Sequence, residues 1–165
     1  MLRTLVNRIN QITEMSGVVF FMIMLVVLLI QVFCRYIFNN ALASPEEVAR
    51  FTFLWATYAG IAVTVREKSH LRIEILPVFL PKTYDKFFKV LCEIVNVLFF
   101  AYFVWISCDM VREIHDIGVE GVAVPIAMWI VWLALPVYGA ICVLNAAVNL
   151  IDLFNGNDEK SEVQL

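Results

Sequence analysis

The chain reads as an all-α integral membrane protein with four membrane-crossing helices. Two observations say so. Hydrophobic residues make up 62% of its 165 residues and charged residues only 16%, against roughly 45–50% and 25% in soluble domains. A water-soluble unit of this size would have too little polar surface to cover its apolar atoms. Second, four long apolar runs are separated by polar or proline-bearing breaks. A helix needs about 20 apolar residues to cross a hydrocarbon layer of roughly 30 Å, and lipid offers its backbone no other partners. The whole chain, 1–165, is read as one membrane domain. Its helices are expected at approximately 14–36, 46–66, 83–113 and 125–154, with a polar tail at 155–165.

The first run, Gly17–Phe33, closes at Arg35. Ala41-Leu42-Ala43 beyond it looks like a signal-peptidase site, but the run is long for a signal core, and Arg35, Asn39 and Asn40 intervene. The run is therefore kept as a span. The second, Val48–Val65, opens at Ser44-Pro45-Glu46-Glu47. Ser44 can cap, Pro45 suits the first helical position, and two carboxylates sit near the positive end of the helix dipole. Glu46 and Arg50 are spaced i, i+4. Ala56, Gly60 and Thr64 repeat every four residues, the small-residue spacing that lets membrane helices approach closely.

Between the second and third helices, His70–Leu80 (HLRIEILPVFL) is too apolar for a free loop. It is expected to lie along the membrane surface or on a partner. The third run, Phe87–Val111, carries Lys89, Glu93 and Asn96 on one face. A proton or ion path is one reading of that face. A Lys–Glu pair near the interface, with Lys89 reaching to the headgroups, is the favoured one. Asp109 and Arg112 are expected to pair at i, i+3. The fourth run, Val122–Leu153, is expected to start at Pro125 and to kink at Pro136. Tyr138, Cys142, Asn145, Asn149 and Asp152 form a polar stripe along it, which predicts contact with another helix, inside the chain or on a partner, rather than with lipid.

Charge sets the orientation. Arg3, Arg8, Arg66, Lys68, Arg72, Lys82, Lys86 and Lys160 fall on one side, and only Arg35, Arg50 and Arg112 on the other. Both termini and the His70 connection are therefore expected in the cytoplasm, and the acidic Glu113–Glu120 connection outside. The net charge is −3 with no basic block, which argues against a nucleic-acid partner.

No catalytic, cofactor-binding or metal site is legible. His70 and His115 both fall in connections, against a membrane haem with paired axial histidines. Cys34, Cys92, Cys108 and Cys142 form no C-x-x-C and read as buried small hydrophobes. No Asp, Glu, Lys, Arg or His lies between Glu14 and Arg35, between Arg50 and Arg66, or from Val122 to Ile151. An exporter would want such a charge. A chain with packing stripes and no buried chemistry reads as a non-enzymatic subunit of something larger. The alternative is a self-sufficient small membrane exporter or enzyme.

At this point the order of motifs becomes recognisable. The first helix ends in Val32-Phe33-Cys34-Arg35-Tyr36-Ile37-Phe38-Asn39. Glu46-Glu47-x-x-Arg50 is followed by Trp55 and Gly60, then by His70-Leu71-Arg72-Ile73, and the fourth helix carries Pro125, Trp129 and Pro136. From Gly17 to Asn149 the chain resembles the small membrane subunit of TRAP (tripartite ATP-independent periplasmic) transporters, the DctQ family. One departure is Ser44, where that family usually has a tryptophan before the paired glutamates, so a role for that aromatic is not carried over.

The resemblance implies a multi-pass protein of the bacterial inner membrane and a non-catalytic scaffold role. Its partners would be a large elevator-type membrane subunit on a separate chain, a periplasmic substrate-binding protein and membrane lipids. The transport implied is sodium-coupled uptake of an organic acid, a C4-dicarboxylate or a sugar acid such as sialic acid. The residues expected to carry structure or interface are Arg35, Glu46, Glu47, Arg50, Trp55, Gly60, His70, Pro125, Trp129, Pro136, Asn145 and Asn149. Glu113, Asp116 and Glu120 are expected to help dock the binding protein.

Overall fold

The structure, a computed structural model, describes residues 2–37, 43–66 and 82–154. The surface-lying segment, His70 and the 155–165 tail fall outside these residues. Among the described residues, five helices make four spans: α1 (Leu2–Ile37), α2 (Ala43–Arg66), α3 (Lys82–Ile117), and a fourth span divided into α4 (Met128–Trp132) and α5 (Ala134–Phe154). All four are long and apolar enough to cross a membrane.

Two helices outrun their apolar runs. α1 begins at Leu2 rather than near residue 14, and its polar first half is tied to α5 through the buried Asn10, which bonds Asn145. α3 continues to Ile117, so Glu113 and Asp116 stand on its last turns rather than in a free connection. Each has 36 residues, which at 1.5 Å per residue gives about 54 Å, well beyond the hydrocarbon core, so both must tilt or project.

The start of the fourth span corrects an expectation. Pro125 does not open the helix. It is exposed in the connection, where the Ile126 N–H donates to the Val124 carbonyl at 2.7 Å across it. That three-residue turn suits the φ fixed by proline. The helix starts at Met128 instead. The break at Leu133 is where Pro136 places it: proline has no N–H to donate to the Trp132 carbonyl, and its ring crowds that carbonyl. The helix resumes as Val137 donates to Leu133 at 3.2 Å.

The core lies between α2, α3 and α5. Ala59, Ala62 and Val65 of α2 meet Ala134, Tyr138, Cys142 and Ala146, with Phe100 from α3. Small residues let these backbones approach without a hydrophobic force between helices, which lipid does not supply. Gly139 is needed for the α3 contact, since a Cβ there would fall 2.8 Å from Val104 Cγ2. α1 packs chiefly along α2, with Gly17 against Ala59, and leaves Val18, Met22, Leu29 and Phe33 exposed. The four cysteines are free thiols, Cys142 buried and the others half-buried.

Candidate interaction sites

Polar side chains concentrate at the two ends of the molecule. At the end holding the start of α1, Asn10 and Asn145 form a reciprocal amide pair. Asn10 Nδ2 donates to Asn145 Oδ1 at 2.8 Å, and Asn145 Nδ2 donates back to Asn10 Oδ1 at 2.9 Å. Asn145 also donates to the Ala62 carbonyl at 3.2 Å, and Asn149 donates to the Val65 carbonyl at 3.0 Å. The Val65 carbonyl lies in the last turn of α2, where helical partners run out. About two turns further along, the Ser16 and Tyr138 hydroxyls lie 2.9 Å apart. The polar stripe of the fourth span is therefore turned inward at Tyr138, Asn145 and Asn149. The Asp152 side chain is outside the described residues.

At the opposite end, α2 is fastened to the connection between α3 and α4. Gly118 ends α3 at φ +69°, its N–H shared between the Ile114 and His115 carbonyls at 3.2 Å each. Glycine takes this left-handed helix stop without a Cβ penalty. Residues 119–128 then fold back on themselves. Gly121 donates to Ile126 at 3.0 Å and Met128 to Val119 at 3.0 Å, around the facing pair Glu120 and Ala127. Across the tip lies Glu47 of α2. Its Oε1 accepts the Val122 N–H at 2.9 Å, and its Oε2 accepts those of Ala123 and Val124 at 2.7 Å each. Three successive amides converging on one carboxylate form an anion nest. Ser44 joins the same contact and donates to the Ala123 carbonyl at 3.4 Å. Expected as a helix cap, Ser44 lies inside the first turn of α2 because the connection offers its hydroxyl an acceptor.

The remaining expected residues divide by burial. Trp55 is half-buried, its ring 5.2 Å from Phe20 and edge-on to Tyr138 at 5.9 Å, so it joins α1 to α5 across α2. Trp129 stands edge-on to His115 at 5.5 Å, and Pro136 is half-buried at the helix break. Arg35 is exposed at the end of α1. Glu46 and Arg50 form an exposed pair at 3.4 Å, and Asp109 and Arg112 one at 3.6 Å. Glu113, Asp116 and Glu120 are all exposed, with Asp116 3.5 Å from His115. Asn96 is buried on α3, while the expected partner of Glu93, the Lys89 side chain, lies outside the described residues.

Gly60 departs from the close approach its spacing suggested. Nothing lies within 4 Å of a Cβ placed there, and the face with Ala56 instead lines an open, largely apolar groove of about 450 Å³ between α1 and α2. The close packing uses the neighbouring stripe of Ala59 and Ala62. Sequence reasoning missed Asn10, Thr13 and Ser16. The signal was present: they recur at helical spacing on one face before the apolar run and continue into Gly17.

The fold and these contacts define a small multi-pass membrane protein in which Asn10, Tyr138, Asn145 and Asn149 serve its own packing. Within that class, the chain belongs to the DctQ family, the DctQ component of tripartite ATP-independent periplasmic transporters, whose family model matches residues 7–156. A TRAP transporter small permease protein of Haemophilus influenzae is 28% identical over 81 residues, 49% of this chain and 50% of that one. The sialic acid TRAP transporter permease protein SiaT of Haemophilus influenzae is 31% identical over 98 residues, 58% of this chain and 16% of that one. The isethionate TRAP transporter permease protein DctMQ of Oleidesulfovibrio alaskensis is 26% identical over 104 residues, 62% of this chain and 16% of that one. The chain thus spans about half the length of the small relative and a minor part of the two long ones.

Proposed function

We propose that this chain is a non-catalytic scaffold subunit of a sodium-coupled transporter that takes up organic acids across the bacterial inner membrane. In this reading it steadies the static part of a large elevator-type membrane subunit carried on another chain. Both termini face the cytoplasm, and the α3–α4 connection faces outward, where Glu113, Asp116 and Glu120 help dock the soluble substrate-binding protein. One observation carries the scaffold role. The polar groups inside the bundle at Asn10, Asn145, Asn149 and Tyr138 are bonded to one another or to backbone. They are occupied by packing. The two long relatives support a large partner, since the region like this chain is only 16% of each. Their names carry sialic acid and isethionate, both organic acids, which supports that substrate class.

Co-expression with the large subunit tests the reading. The two chains are expected to co-purify in mild detergent, and this chain alone in vesicles is expected to move no organic acid. A chain that runs alone beside its co-expressed partner would sink the scaffold role, and flux through the chain alone would favour a self-sufficient exporter.

A further inference from the structure

We propose that Glu47 is a positioning residue for recognition of the soluble partner: its carboxylate sets the shape of the loop that the partner meets. This rests on the docking reading above and adds to it a residue that stands on a different helix from the docking carboxylates.

The geometry supplies two independent lines. First, Glu47 reaches across 75 to 77 positions of sequence to occupy three consecutive amides, at 2.9, 2.7 and 2.7 Å. Nests of this kind ordinarily await an anionic ligand. Here the chain fills its own nest, so the amides at the tip are engaged before any partner arrives. Charge-assisted bonds to backbone amides are among the stronger hydrogen bonds available to a surface loop. Second, the sequence keeps the room that the clamp requires. A Cβ at Gly121 would fall 2.4 Å from the Val124 carbonyl oxygen and 3.0 Å from Glu47 Oε1. Neither backbone nor clamp could remain where it is. Gly121 does not have a left-handed φ, so close approach is the reason for glycine.

The loop so held presents a defined face. Val122 is fully exposed at the tip, and Ile117 and Val119 are exposed beside it. Glu113, Asp116 and Glu120 lie exposed around this apolar patch. An apolar contact rimmed by carboxylates fits a protein surface with an apolar spot rimmed by lysine and arginine. Anionic lipid headgroups would be repelled by the same carboxylates. A loop already fixed in shape loses little conformational freedom on docking, so the clamp raises affinity without touching the partner.

The experiment uses the full chain with its large subunit in nanodiscs. Amide hydrogen exchange is read at residues 122–124, and affinity is read for the soluble substrate-binding protein of the same transporter. Glu47→Gln and Gly121→Ala, which attack the clamp from opposite sides, should each speed exchange and weaken binding on the order of tenfold. Glu46→Gln, one residue away and outside the nest, should change neither. Retained co-purification with the large subunit shows that each variant is folded. Unchanged exchange in Glu47→Gln would overturn the clamp. Faster exchange with unchanged affinity, while charge reversal of Glu113, Asp116 and Glu120 weakens binding, would overturn the positioning role and leave the docking reading standing. Affinity unmoved by every substitution, charge reversal included, would overturn the docking reading itself.

Discussion

At the end where α1 begins, neutral amides join three helices: Asn10 to Asn145, Asn145 to the Ala62 carbonyl, and Asn149 to the Val65 carbonyl. At the other end a single carboxylate joins α2 to a loop, through three backbone amides. The difference follows from solvent. Asn10 and Asn145 are almost completely buried. A charge placed there would carry a desolvation penalty that a neutral amide escapes, while an amide can still satisfy both its donors and its acceptor. Glu47 is half-exposed, so water shares its charge and the carboxylate can serve as a multiple acceptor. Neutral polar groups fasten the dry end, and charge fastens the wet one.

The largest effect should come from the dry end. Asn145→Leu removes the partner of Asn10 and strands a buried amide. We expect a loss of about 2 kcal/mol in a reversible unfolding titration in mixed micelles. The double variant Asn10→Leu/Asn145→Leu should lose less than the two single changes added together, because no polar group of the pair is left stranded. Simple additivity would show that the two amides are not coupled.

Between the two ends, apolar packing brings α3 against α5 at Gly139, and its contribution should be smaller. At Gly139 an added Cβ would meet Val104 Cγ2 at 2.8 Å and the Phe103 ring at 3.3 Å. Valine is stiff at χ1 and cannot swing aside freely. Gly139→Ala is therefore expected to lower stability by about 1 kcal/mol in the same titration, overpacking outweighing the better helix propensity of alanine. A more stable variant would mean that α3 shifts to make room.

The four spans and the polar stripe were legible in the sequence because hydropathy and helical spacing are local signals, while the choice between an internal and a partner contact for the stripe was not. The helix break was legible too, since Pro136 acts on its own backbone. The partners were not. Asn10 lies 135 positions from Asn145 and before the apolar run, so it read as tail. The choice between the two small-residue stripes of α2 was also hidden. Ala56-Gly60 and Ala59-Ala62 are both plausible seams by spacing, and only the placement of Tyr138, Cys142 and Ala146 selects the second. The clamp was half visible. Glu47 stood out beside Glu46, but nothing local separates the glutamate that faces the loop from the one that faces water.

That last pair supplies the smallest expected effect. Glu46 and Glu47 share a helix turn and a charge, yet Glu46 meets only Arg50, at 3.4 Å, with about two-thirds of both side chains exposed (62% and 72%). Exposed i, i+4 pairs contribute little, because water screens the attraction and two long side chains lose freedom to make it. Glu46→Gln should therefore change stability by less than about 0.5 kcal/mol. What change there is should vanish at high salt, where exposed charges are screened within a few ångströms. The same unfolding titration at low and high salt checks both points. A loss approaching that of Asn145→Leu would break the comparison between the ends, because a lone exposed ion pair would then be fastening the wet end. A negligible loss would sharpen it: charge at the surface of this molecule would count only where, as at Glu47, it gathers several backbone donors at once.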